Sequence, residues 1–112
     1  MTVLRVGALA PAPLAAAAQF HAEVLPRALQ ALEQGDDLVL VFAPADHTHT
    51  AWRRAAVQEL ARAHTPVRVN ALAGDSEAAI SAAANYLAHA PGVTGQLLPL
   101  DGTGAGAMLY HG

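Results

Sequence analysis

Two apolar runs, Val67–Leu72 and Gln96–Leu100, stand on either side of an alanine-rich stretch, and this arrangement narrows the choice of fold more than any other feature. Each run has the length of a strand. The stretch between them has room for a helix of about a dozen residues, the length that a parallel crossover requires. Asp75 or Ser76 can cap that helix, which is expected to run to about His89 before Pro91-Gly92 stops it. A strand, a helix and a strand in this order make a βαβ unit. Pro99 lies in the second run. Proline cannot donate to a ladder, so the last strand is expected at a sheet edge.

The preceding residues repeat the alternation. Thr2–Ala8 reads as a short first strand, broken by Ala10-Pro11-Ala12-Pro13. Leu14–Gln34 is rich in Ala, Leu and Gln and predicts one long helix. Pro26 lies inside it, which predicts a kink near Glu23–Pro26, and Gly35 is the expected C-cap. Asp37–Ala43 is apolar without alternation, as in a parallel strand buried on both faces, and Pro44 ends it. A helix from Asp46 to about Ala63 follows. Its apolar positions Trp52, Ala56, Leu60 and Ala63 or His64 predict one buried face, with Arg53, Arg54, Glu59 and Arg62 mostly off it. Thr65-Pro66 returns the chain to extended geometry. The expected fold is therefore α/β: a Rossmann-like parallel sheet of about four strands in β-α-β-α-β-α-β order. Right-handed crossovers stepping one way would pile the helices on one face, leaving the other for the last helix or a partner.

The chain has 112 residues, is 54% hydrophobic and 13% charged, and so reads as one globular domain. Few charges to cover the surface suggest oligomerisation. The net charge of −3, with six Lys plus Arg, offers no basic face for nucleic acid. There is no cysteine, which excludes disulfide and thiolate chemistry. No signal-peptide pattern and no run of membrane-spanning length is present, so no membrane association and a cytoplasmic location are expected.

Val67-Arg68-Val69-Asn70-Ala71-Leu72-Ala73, Tyr86-Leu87-Ala88, Val93-Thr94-Gly95-Gln96 and Asp101-Gly102 together resemble the C-terminal part of the short-chain dehydrogenase/reductase family. The family's usual domain is much longer, so the resemblance implies a truncated domain over residues 1–112, with 102–112 as a Gly-rich tail. It also implies that the first strand matches the family's fourth and the last its seventh. A second alignment lays Gly7-Ala8-Leu9-Ala10-Pro11-Ala12-Pro13 over the family's first glycine-rich turn.

In neither alignment does the family's dinucleotide cradle survive. In the second, Pro11 and Pro13 stand where glycines are needed, filling space and removing an amide donor. In the first, the whole nucleotide half is missing. The glycine run Gly102–Gly106 has no helix after it and reads as tail. No cofactor is expected. The family's reaction uses a Tyr and a Lys four residues later. The Ala55-Ala56-Val57 block places Thr50 at the Tyr position and Arg54 at the Lys position. The family's Ser falls near Ala43-Pro44, and its helix Asn near Pro13. The expected chain is catalytically degenerate.

Other residues invite chemistry less strongly. His47 and His49 beside Asp46 are the only metal candidates, and polar capping at a solvated helix start is the expected role. His21, His64, His89 and His111 are scattered. Arg53-Arg54 offers an anion contact, against a solvated face as the expectation. Tyr86 reads as a core or interface aromatic.

Two functions follow. One is a non-catalytic subunit or interaction domain that self-associates or pairs with a full-length reductase. The resemblance implies that the family's subunit-pairing helices correspond to Leu14–Gln34 and Asp46–His64, with a further contact over Ser76–Pro99, which gives Ala28, Leu32, Trp52, Ala56 and Leu60 as candidate interface residues. The other is a small enzyme or ligand-binding protein of oxidoreductase descent. Its pocket would lie at the strand carboxyl ends, near Ala8, Ala43–His49 and Ala73–Asp75. An evolutionary remnant without selected activity is a third, weaker option.

Overall fold

The computed structural model describes residues 1–100. The Gly-rich tail expected over residues 102–112 lies outside the described residues. Four strands form one parallel sheet: β1 (Thr2–Gly7), β2 (Leu38–Phe42), β3 (Val69–Ala73) and β4 (Leu97–Pro99). Their order is that of the chain, β1-β2-β3-β4. The expected α/β Rossmann-like arrangement is therefore present. All five residues of β2 are buried, because the strand has a neighbour on each side and helices on both faces. Pro99 lies in an edge strand, where its missing amide hydrogen leaves no gap in the ladder.

The first helical segment is three pieces: α1 (Pro13–Gln19), a π-helical turn (Phe20–Val24) and α2 (Leu25–Glu33). The Leu25 amide donates to the Phe20 carbonyl, five residues back. A wide turn lies directly before Pro26, where a regular helix loses a donor and meets the proline ring. At the position of the expected kink the helix widens into a π-turn. It keeps Phe20 and Val24 on the buried side. Gly35, at φ +83°, follows the C-cap Gln34 in a conformation that favours glycine.

Asp46 caps a short 3-10 turn (His47–His49), its carboxylate accepting from the Thr48 amide at 2.9 Å and from the Thr48 hydroxyl. Helix α3 (Thr50–Ala63) follows. Its buried stripe is Arg53, Ala56, Val57, Leu60 and Ala61, turned by one position from the expected one. Ala63 is exposed, His64 and Trp52 are half-buried, and Arg53 is inside. The small side chains of Ala56 and Ala61 let α3 approach the sheet. The indole of Trp52 lies at the side, with its ring 5.4 Å from that of Phe20 and 5.7 Å from that of Phe42. Helix α4 (Glu77–Ala88) is capped by Ser76, whose hydroxyl accepts from the Ala79 amide at 3.2 Å.

Two cores lie on opposite faces of the sheet. One joins Phe20, Val24, Ala28 and Leu32 to Val57 and Leu60 over Leu38, Leu40 and Phe42. The other packs Ile80, Ala83 and Leu87 on Val39, Val41 and Leu72. The α4 crossover therefore has the opposite hand to the other two, since all three step the same way along a parallel sheet. This answers the question of the second face: α4 covers it over β2 to β4, and leaves Val3 and Arg5 of β1 exposed.

Two polar clamps hold the amino ends of the strands. Arg68 donates from Nε to Asp37 at 3.0 Å and from Nη1 to the carbonyls of Leu87 (2.9 Å) and Ala90 (2.6 Å) at the end of α4. Buried Asn70 donates to the Val93 carbonyl and accepts from the Gln96 amide, fixing the segment before β4. At the other end Gly74 is close-packed; a Cβ there would lie 2.9 Å from Leu100 Cβ. Gly74→Ala is expected to cost about 1–3 kcal/mol, as overpacking does, measured by thermal denaturation against wild type.

Candidate functional site

Parallel strands bring their carboxyl ends together, and in this fold they meet the amino ends of α1, α3 and α4. A cavity of about 110 Å³ opens there, between the start of α3 and the ends of β3 and β4. Its polar lining comes from Asp46, His49, Thr50, Arg53 and Arg54, its apolar lining from Ala45, Ala73, Leu97 and Pro99. Thr50 and Arg54 are four residues apart on one helix and so share a face. The exposed Ala43 contributes a backbone group: its carbonyl accepts from Arg53 Nη1 at 3.0 Å.

His49 is buried, and both its ring nitrogens are engaged. Nε2 donates to the Pro11 carbonyl at 2.9 Å, and Nδ1 accepts from the Trp52 indole N–H at 3.1 Å. A carbonyl only accepts and an indole only donates, so the neutral tautomer with its proton on Nε2 is selected. Neither nitrogen has a free lone pair for a metal. His47 is exposed and does not line the cavity. No group of three His, Asp or Glu suited to a metal occurs among the described residues. His21, His64 and His89 each bond through Nδ1 to the carbonyl four residues back, a local helical role.

Arg53 is the residue that sequence reasoning misplaced. It is 7% exposed, and its buried Nε has no hydrogen-bond partner among the described residues. The guanidinium lies 4.6 Å from the centre of the Phe42 ring and 5.8 Å from that of Trp52. The ion pairs among the described residues are Arg5–Glu77, Arg62–Glu59 and Arg68–Asp37, so no carboxylate answers Arg53. Burial lowers its pKa, but a guanidinium keeps its proton under any working condition. The signal was present in the spacing: position 53 precedes Ala56 and Val57 by three and four residues. Its charge hid that from a search for apolar periodicity. Asp46, also at the rim, is held below the usual carboxylate range by the hydroxyl and then the amide of Thr48.

Ala28, Leu32, Ala56 and Leu60 point inward and are at most 8% exposed. Their side chains pack within the chain's own core, because α2 and α3 must cover the sheet themselves. Trp52 is half-buried, and Tyr86 is 37% exposed on α4.

A parallel sheet with crossover helices and a pocket at the strand carboxyl ends defines a Rossmann-like α/β protein. Residues 4–100 match the family model of short chain dehydrogenase-like proteins, and the chain belongs to that SDR-like family. No curated protein and no solved structure matches it. No helix among the described residues is long and apolar enough to cross a membrane.

Proposed function

We propose that this chain is a non-catalytic, short-chain-dehydrogenase-like subunit that associates with itself or with a full-length reductase. The observation that carries the reading is that Thr50 and Arg54 both line the pocket; the resemblance puts them at the positions of the family's Tyr and Lys. Proton transfer needs a group whose pKa lies near the working pH. A threonine hydroxyl and a guanidinium both lie far from it. Association is supported by apolar side chains on the outer surface of the helices: Leu14 is 86% and Leu29 37% exposed. A two-fold arrangement is the usual one for such a surface.

Titration calorimetry with NAD and NADP is expected to show no binding, and NADPH oxidation with ketone substrates no turnover above background. A low-micromolar dissociation constant, or turnover that vanishes in Thr50→Ala, would overturn the reading. Light scattering is expected to report a dimer or larger; a stable monomer would leave only an unlike partner. A second reading, a ligand-binding protein with its pocket at the strand ends, draws support from buried Arg53.

A further inference from the structure

We infer that the pocket at the start of α3 is a receptor site for a short-chain monocarboxylate, held by the guanidinium of Arg53. The inference deepens the ligand-binding reading, and it is independent of whether the chain associates.

A guanidinium removed from water needs an opposite charge or a full set of acceptors. Among the described residues Arg53 donates only from Nη1 to the Ala43 carbonyl, and its buried Nε has no acceptor. The rings of Phe42 and Trp52 offset part of the cost by cation–π attraction, but they accept no in-plane hydrogen bond. An Arg kept at 7% exposure in this state is a preformed half of an ion pair. Arg54 adds a second positive charge to the lining, and Thr50 a hydroxyl. The carboxylate of Asp46 also borders the cavity, but it accepts from the amide and hydroxyl of Thr48, so its lone pairs are partly taken. Two guanidinium groups and one carboxylate leave the cavity positive.

The shape selects the kind of anion. A planar carboxylate matches the guanidinium fork with two parallel hydrogen bonds. The other walls, Ala45, Ala73, Leu97 and Pro99, are apolar and suit a short hydrocarbon tail better than a fully hydrated oxyanion. The volume of about 110 Å³ is below the 150 Å³ or so that admits benzene, which points to roughly four to six non-hydrogen atoms.

Butyrate is the probe. The chain's one tryptophan, Trp52, lies beside Arg53, so its fluorescence reports the site. Sodium butyrate titrated against sodium chloride at constant ionic strength is expected to give a saturable change, with a raised melting temperature. In Arg53→Met the calorimetric affinity is expected to fall by at least about tenfold, as loss of a charged hydrogen bond implies. That variant is expected to fold, since an apolar replacement for an unpaired buried charge is often neutral or stabilising. Arg54→Ala, at an exposed position, serves as a folded control with a smaller loss. Equal responses to butyrate and chloride, or unchanged affinity in Arg53→Met, would overturn the site. Saturable binding of inorganic phosphate without butyrate binding would reject the carboxylate while keeping a ligand pocket. Butyrate binding that appears only in Asp101→Asn would show that a carboxylate of the chain itself occupies Arg53, and would also overturn the inference.

Discussion

Ala28→Asp is expected to abolish the cooperative thermal unfolding transition. Ala28 has 0% exposure and lies on α2 among Phe20, Val24 and Leu32, over Leu38 and Leu40. A carboxylate there would be buried among the apolar side chains of that core. An uncompensated buried charge costs roughly 3–5 kcal/mol, most of what a marginally stable domain has. Circular dichroism on heating is the measurement, and a native-like transition within a few degrees of wild type would contradict the packing described. Leu29→Asp, one residue on and 37% exposed, is the contrasting change. It should leave the transition nearly intact, because its side chain points outward. If α2 is part of an association surface, it should also lower the molar mass measured by light scattering relative to wild type. The pair separates folding from association, which a charge at Ala28 alone does not.

Arg68→Ala is expected to lower stability by about 3 kcal/mol, the size found when one partner of a partly buried, multiply bonded charge is removed. Arg68 ties three elements: Asp37 before β2, its own position before β3, and the carbonyls that close α4. The Arg68 side chain is 16% and the Asp37 side chain 31% exposed, so solvent screens the pair only partly. Arg68→Lys should recover less than half of the loss, since an ammonium cannot reach all these acceptors at once. Urea denaturation checks both. The same contact makes stability depend on pH. Burial alone would raise the Asp37 carboxyl, but the Arg68 amide and guanidinium outweigh it and hold the group below the usual aspartate range. A depressed carboxyl contributes stability in full above its unfolded value, about 3.9, and loses it as the pH falls through the lower folded value. Asp37→Asn should therefore be less stable near neutrality and show a flatter decline in acid.

Period and punctuation in the sequence settled the alternation of strands and helices. Apolar runs without alternation meant buried parallel strands, as all of β2 confirms. Pro99 marked the edge strand, Pro26 the break in the first helix, and Gly35 the left-handed turn after it. These are local effects of missing amide hydrogens and permitted backbone angles, so neighbouring residues suffice to read them. The pairing of Thr50 with Arg54 on one face followed from helical spacing in the same way. Tertiary structure alone decided three other matters. Placing α4 on the second face depended on which sheet surface still lacked cover, and the chain order of strands is compatible with either face. The rotation of α3 depended on the bulk of Trp52 against Phe20 and Phe42, contacts between residues distant in the chain. That rotation carried Arg53 inward with no carboxylate partner among the described residues, a result that no pattern of hydrophobicity along one helix can express, because it is set by contacts with other elements.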